Sequence, residues 1–401
     1  MNLREKIKGI AQQIAPQVVA HRRHLHSNPE LSFQEYETAQ FIANALRAMG
    51  LKPQEKVADT GVVVLIEGRN PEKKTVALRA DIDALPITEA NEVSYRSKNI
   101  GVMHACGHDA HTSSLLGTAY ILSNLTDAFE GTFKLLFQPA EEKIPGGASL
   151  MIKEGVLEAQ GTTAAPKSVI GQHVMPQIQV GKIGFREGLY MASADEIYIT
   201  LKGKGGHAAM PELNQDPVVV MAQIITALQQ IISRHNNPRI PSILSFGKVI
   251  AQGATNIIPN EVYIEGTFRT YQEEWRYRAH EKIKQMTIGI AEAMGIEATI
   301  DIKVGYPFLK NNPELTKRLR QWTADYIGEE NLIDLDLWPA SEDFAYYSQI
   351  ADACFYRLGT GNTAKGITSS VHTPTFDIDE NALEIGAGLM AWLAIQEIQQ
   401  G

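Results

Sequence analysis

Between residues 62 and 174 short apolar runs rich in β-branched residues alternate with helical stretches, and that alternation excludes most folds. Residues 62–67, 75–80, 132–137 and 168–174 have strand character, while 110–125 and 148–154 have helical spacing. Strands alternating with helices predict an α/β domain, a sheet carrying helices on both faces. The pattern changes around Gly181 to Gly188. From there the order is a strand at 196–202, a helix at 216–233, strands at 242–250 and 261–270, a helix at 273–294 and a strand from 297. This βαββαβ order is the split ferredoxin-like unit, and it predicts a second domain inserted into the first. The expected division is residues 1–187 and 305–401 for the α/β domain and 188–304 for the insert.

The start of the chain suggests two helices, 3–14 and 16–26, with Pro16 in the first turn of the second. Ser32 followed by Glu35 has the spacing of a capping box for a helix over 33–49, and Gly50 supplies its stop. A chain of 401 residues is longer than one core ordinarily serves, which agrees with two domains. An apolar fraction of 44% with 21% charged residues is that of a globular protein, and no apolar run approaches a membrane span. The first ten residues form a charged amphipathic start without an apolar signal core, so a cytoplasmic location is expected. A net charge of -9 argues against nucleic acid and anionic membrane as partners. In a reducing compartment Cys106 and Cys354 would both be free thiols.

Chemistry concentrates in Met103 to Thr112, which reads M-H-A-C-G-H-D-A-H-T. A thiolate, imidazoles and a carboxylate at this density suit a divalent transition metal, and Gly107 lets Cys106 and His108 turn toward one point. A redox thiol or a polar loop is the competing reading. Glu141 and Glu142 end a strand after Pro139-Ala140; adjacent carboxylates tolerate burial when a cation compensates, leaving one to bind and the other to move a proton. Asp81, Asp83 and His173 also fall at strand ends, where open α/β sheets place their ligands. Taken singly His173 and His372 read better as structural histidines; together with Cys106, His108 and one glutamate they make five possible ligands, enough for two ions sharing one ligand. Asp81 and Asp83 would orient ligand imidazoles. His104, Asp109 and His111 are read as supporting or structural. In the inserted segment G-K-G-G-H-A-A-M-P presents His207, Asn256 stands in G-A-T-N-I-I-P, and Arg269 lies on the polar face of its strand, where it could grip a carboxylate.

These motifs together resemble the dinuclear metal aminoacylase and carboxypeptidase family, in particular its amidohydrolase branch of hippurate hydrolases, N-acyl amino acid deacylases and auxin-conjugate hydrolases. The resemblance runs nearly end to end, through H-S-N-P-E-L-S-F-Q-E-Y-E-T, L-R-A-D-I-D-A-L-P, M-H-A-C-G-H-D-A-H, F-Q-P-A-E-E, G-Q-H-V, G-K-G-G-H-A-A-M-P, A-T-N-I-I-P, G-T-F-R-T, S-E-D-F-A-Y-Y and V-H-T-P-T-F-D. It implies a mixed-sheet catalytic domain with an inserted lid and dimerisation domain. It implies two divalent ions, of Mn, Zn, Co or Ni, on Cys106, His108, Glu142, His173 and His372, with Cys106 bridging. Glu141 would be the general base and acid, His207 would stabilise the oxyanion in the partner subunit, and Asn256 and Arg269 would hold the substrate carboxylate. The implied reaction is amide hydrolysis of N-acyl amino acids, N-acetyl or N-benzoyl, by metal-activated water in a homodimer or homotetramer. Alternatives are a carboxypeptidase or dipeptidase acting on small peptides, a non-catalytic metal-binding protein of the same fold, and a thiol enzyme using Cys106 with His108.

Overall fold

A computed structural model describes residues 2–400. The chain divides into two compact units: residues 1–190, 310–336 and 343–401 form the first, and 191–309 with 337–342 the second.

The first unit is built on an eight-stranded mixed sheet. Its strands in chain order begin with β1 (Gln54–Val57), β2 (Gly61–Glu67), β3 (Thr75–Asp81), β4 (Thr132–Gln138), β5 (Pro166–Gln179) and β6 (Ile183–Phe185), followed by Leu332–Asp334 and Asp352–Gly361. Across the sheet the order is β1, β2, β4, β3, β5, Asp352–Gly361, β6, Leu332–Asp334. The inner run β4, β3, β5 and Asp352–Gly361 is parallel. Every residue of β3 and β4 is buried, as expected of parallel strands covered on both faces. Consequently the carboxyl ends of these strands, carrying Asp81, the Glu141-Glu142 turn and the His173 segment, come to one region.

Four helices of this unit matter for the site: α1 (Leu3–Ser27), α2 (Tyr36–Ala48), α3 (His108–Ser123) and α4 (Gly147–Lys153). The chain opens with one helix rather than two, and Pro16 lies inside α1. Ile7, Ala11, Ile14, Val18 and Leu25 form one continuous buried stripe across the proline. That stripe packs on α3 and on the C-terminal helix Asn381–Gln399, and its burial outweighs the local cost of a missing N–H. The capping box is also not formed. Helix α2 begins at Tyr36, and the Glu30 carboxylate, not Ser32, accepts the free N–H groups of Glu37 and Thr38 at 3.2 and 2.8 Å. Ser32 and Glu35 point elsewhere.

The second unit has the βαββαβ order: Asp195–Lys202, Pro217–Gln230, Ser242–Ile250, Glu261–Thr270, Glu273–Ala293 and Glu297–Val304. All its neighbouring strands run antiparallel, with Asp195–Lys202 and Glu261–Thr270 central. The sheet contributes Ile197, Ile199, Leu201, Val262, Ile264 and Phe268 to a core closed by Trp275, Ala279 and Ile283 of the second helix. Contrary to the expectation that no apolar run approaches a membrane span, the segment Pro217–His235 is long and apolar enough to cross a membrane by length and composition alone. In this unit it buries Val220, Ile224 and Leu228 in the same core.

Candidate metal centre

Helix α3 starts at His108, and Gly107 before it takes a left-handed conformation, φ +86°. A Cβ there would stand 2.4 Å from Val174 Cγ2, so glycine is needed for both the turn and the close approach to β5. The turn sends Cys106 and His108 to the same side, toward β5. His111, one helical turn on, shares the His108 face.

The carboxylates at the end of β3 fix both rings. His108 Nδ1 lies 3.0 Å from Asp83 Oδ1, and His111 Nδ1 lies 2.6 Å from Asp81 Oδ1. His111 Nε2 is occupied as well, accepting from the Val174 N–H at 2.8 Å, so His111 is a bracket between two strands. His108 Nε2 is buried and has no hydrogen-bond partner. This is the arrangement in which a carboxylate fixes the tautomer of an imidazole and leaves its other nitrogen to a metal. His173 follows the same rule, with Nδ1 2.7 Å from the Val174 carbonyl and Nε2 3.4 Å from Cys106 Sγ.

Two more donors arrive from distant parts of the chain. His372 is held in a left-handed conformation, φ +62°, and its N–H donates to the Ala105 carbonyl at 2.7 Å. Its Nε2 stands 3.3 Å from Cys106 Sγ and 3.2 Å from Glu142 Oε1. Glu142 comes from the turn after β4, where its N–H donates to Asp83 Oδ2 at 3.0 Å. That turn is tight at Gly147, where a Cβ would lie 1.8 Å from the Pro139 carbonyl oxygen. Glu142 Oε1 is buried without a hydrogen bond and sits 3.9 Å from His108 Nε2.

Cys106, His108, Glu142, His173 and His372 therefore converge, in two mutually close triads that share Cys106: Cys106 with His108 and His173, and Cys106 with Glu142 and His372. The electrostatics fit a cation at this point. Burial disfavours a charged imidazole, yet Asp81, Asp83 and Glu142 raise His108 to about 10. Burial first, then Glu142, Glu141 and Asp81, pushes the Cys106 thiol well up. The His108 shift expresses the surrounding negative charge and the Cys106 shift burial first and that charge second; a divalent ion would offset both, stabilising the thiolate and favouring the neutral imidazole. Thiolate, imidazole and carboxylate donors with two buried atoms lacking partners are the donor set of a transition-metal site.

Glu141 is buried beside this cluster, its Oε1 3.4 Å from the Asp343 N–H. Asp343 belongs to a network that sequence reasoning passed over. Arg79 Nη1 donates to Asp81 at 2.6 Å and Nη2 to Asp343 at 2.7 Å, while Gln138 Nε2 and the Ala148 N–H also donate to Asp343. The available signal was Arg79 itself, a guanidinium in the middle of a buried strand, which requires carboxylate partners. Asp109 is a structural anchor: it accepts from Arg22 Nε at 2.8 Å and stands 2.8 Å from His26 Nδ1. Both His104 nitrogens are buried without partners, and burial lowers this histidine to about 4, so the ring stays neutral.

The other three candidates lie in the second unit. His207 is exposed and pairs in a short antiparallel bridge with Ile257, next to Asn256, whose carbonyl accepts from the Ala208 N–H at 3.0 Å. Arg269 is half-buried on the polar face of Glu261–Thr270, and its Nη1 donates to the Pro339 carbonyl at 3.2 Å. Cys354 is buried in the first unit, and both cysteines are free thiols.

Comparison with known proteins settles the family. Residues 77–396 match peptidase family M20/M25/M40. The chain belongs to this family. It is 43% identical over 303 residues to the N-acyl-L-amino acid amidohydrolase of Geobacillus stearothermophilus, covering 76% of this chain and 80% of that one. It is 37% identical to thermostable carboxypeptidase 2 of Saccharolobus solfataricus over 99% of both chains. A solved dinuclear-metal-binding M20 peptidase of Bacillus subtilis superposes with a TM-score of 0.82 at 34% identity, covering 97% of this chain and 99% of that one. The M20 chain is thus a metal-dependent hydrolase acting on amide bonds.

Proposed function

We propose that this M20 hydrolase cleaves the amide bond of N-acyl amino acids, with Glu141 as the proton-transferring group. The observation that carries the reading is the single cluster in which five metal-donor side chains meet beside a buried glutamate. Cys106, His108, Glu142, His173 and His372 would hold two divalent ions, Mn, Zn, Co or Ni, with Cys106 shared. When bound, the ions would polarise the acyl carbonyl and acidify water toward neutral pH. Glu141 takes a proton from water as its oxygen bonds to the acyl carbon and returns it to the departing amine nitrogen, so an O–H and the C–N bond break while a C–O and an N–H bond form. Asp81 and Asp83 keep the imidazoles oriented through this cycle. In the second unit Arg269 and Asn256 are assigned the substrate carboxylate, and His207 the oxyanion of a partner subunit's substrate in a homo-oligomer.

The Geobacillus relative is named for N-acyl-L-amino acids, which supports this substrate class over others. A carboxypeptidase activity on small peptides is the second reading, supported by the similarity to thermostable carboxypeptidase 2 over nearly the whole chain. One panel separates them: N-acetyl and N-benzoyl amino acids alongside dipeptides, assayed with apo protein to which each metal is restored. Hydrolysis of the N-acyl compounds that disappears with chelation is the expected result. Undiminished rates after exhaustive metal removal would overturn the reading, and turnover of dipeptides alone would replace it with the second.

A further inference from the structure

The turn that carries Glu141 and Glu142 contains a residue that does not adopt its conformation willingly. Ala140, fully buried, has φ +49°. A left-handed conformation costs an alanine roughly 1–2 kcal/mol relative to the right-handed one, so neighbouring contacts must impose it. Its carbonyl is held by the Gly147 N–H at 3.0 Å. Its N–H donates to Glu35 Oε1 at 2.8 Å, across 105 residues of chain.

Glu35 is fully buried, and its other oxygen accepts from Thr60 Oγ1 at 2.7 Å. The route by which it arrives there is the part of H-S-N-P-E-L-S-F-Q-E-Y-E-T that catalysis has not yet accounted for. Because Glu30 caps α2, Ser32 and Glu35 are released from helix capping. Phe33, in a left-handed conformation of φ +66°, turns the chain so that both face the site. Ser32 Oγ donates to Asp83 Oδ2 at 2.7 Å, the same oxygen that accepts from the Glu142 N–H. The Ala84 N–H bonded to the Glu30 carbonyl at 2.8 Å pins this stretch against the Asp83 segment.

We infer that Glu35 is a positioning residue for the catalytic turn: its carboxylate holds Ala140 in the left-handed conformation that aims Glu141 and Glu142 at the metal-donor cluster. The inference rests on the reading of Glu141 as the proton-transferring group. A buried carboxylate is expensive unless it is bonded, and here one oxygen is bonded to this amide and the other to one hydroxyl. Burial and the nearby Asp83 push its carboxyl up to about 7, against the pull of Thr60 and the Ala140 amide. The site thus bears a real cost at this position.

The test uses three variants of the full chain with metal supplied. Glu35→Met keeps the volume and removes the acceptor, Glu35→Gln keeps an acceptor for Ala140, and Glu35→Met with Ala140→Gly lets the turn adopt its conformation unaided. Glu35→Met is expected to lower kcat on N-acyl amino acids about 10- to 100-fold with KM within twofold, the scale of a misplacement of about 1 Å. Glu35→Gln should stay within about threefold of the wild type, and the double variant should regain most of the loss. Hydrogen exchange of the peptide spanning 138–147 should quicken in Glu35→Met and not in Glu35→Gln. If Glu35→Met fails to fold, Glu35→Asp, which keeps the charge and shortens the reach, takes its place. Wild-type kcat and exchange in the acceptor-less variant would overturn the inference, as would equal damage in all three variants. Should the wild type hydrolyse no N-acyl amino acid, the functional reading falls while exchange alone decides the role of Glu35: faster exchange in Glu35→Met upholds it, and unchanged exchange overturns it.

Discussion

Two buried polar clusters of similar composition, one in each unit, have opposite states of completion. In the second unit Asp195 accepts from Arg276 Nε and Nη2, from the Gly305 N–H at 3.3 Å and, on Oδ2, faces His280 Nε2 at 2.7 Å. Arg276 is bonded in turn to Glu273 and to the Ala194 and Gly305 carbonyls. Charge and hydrogen bonds close within the protein, and nothing further is required there. In the first unit Asp81 and Asp83 organise histidines in the same way, yet the outer atoms His108 Nε2 and Glu142 Oε1 end without hydrogen bonds at one point. Of those two atoms Glu142 Oε1 keeps one contact, the half-exposed His372 Nε2 at 3.2 Å, itself a metal donor. Histidines and carboxylates at high density do not by themselves mark a functional centre. The distinguishing feature is that the donors are aimed and left open, which is stable only if something else completes them.

This contrast predicts opposite phenotypes. The largest effect should come from Glu141→Gln, which removes the proton carrier and leaves the metal donors in place. Its kcat should fall by about three orders of magnitude with metal content unchanged, read by steady-state kinetics and metal analysis on the same sample. Loss of metal in that variant would make Glu141 a ligand and blur the division of labour between the two glutamates. Next in size, Asp195→Asn should destabilise the protein by roughly 2 kcal/mol by removing the charge that Arg276 and His280 share and leaving Arg276 only Glu273 as a counter-ion, with metal affinity unchanged. Burial alone would raise the Asp195 carboxyl, but His280 and Arg276 bring it below the ordinary value. A depressed folded-state pKa means that this stabilisation is fully present above the unfolded value, about 4, and lost as pH falls through the folded one. Denaturant titrations from pH 7 down to 3 should therefore show the wild type converging on Asp195→Asn at the acid end. Parallel curves would mean that the cluster is not held by charge.

How much of this could be seen beforehand differs by element in a physically consistent way. The strand and helix alternation was legible because burial on both faces of a parallel sheet leaves continuous apolar runs, as in β3 and β4. The convergence of Cys106, His108, a glutamate, His173 and His372 was suggested by the residue types together, while the choice of Glu142 over Glu141 as the donor was implied only by the family resemblance. Helix α1 was misread at Pro16 because a local rule was outweighed by a packing stripe visible only once α3 and the C-terminal helix are in place. Glu35 was hidden by a stronger local explanation. Ser32 and Glu35 have capping-box spacing, and the turn that redirects them is made by Phe33 without a glycine to announce it. Arg79 announced that a buried carboxylate was needed, but Arg79, Asp343 and Gln138 come from three separated segments, so only the fold reveals which partners meet it.

Two smaller effects sharpen the comparison inside the open cluster. Asp83→Asn weakens the acceptor that fixes His108 and so should cost about 10- to 100-fold in metal affinity, with a modest change in the melting temperature of the metal-free protein. The more telling variant is Glu142→Gln measured without metal. In a closed cluster any loss of charge leaves a partner stranded, but here Glu142 Oε1 makes no hydrogen bond, only the 3.2 Å contact with the half-exposed His372 Nε2, and it shares His108 with Asp81 and Asp83. Neutralising it relieves repulsion among the carboxylates and weakens its pairing with His108 and His372, opposing changes, so the metal-free variant should stay within about 1 kcal/mol of the wild type while binding metal far more weakly. The contrast is what matters, since Asp195→Asn destabilises under the same conditions. If metal-free Glu142→Gln instead lost stability as Asp195→Asn does, Glu142 would have to be bonded within the protein, and the openness that distinguishes the two clusters would not be real.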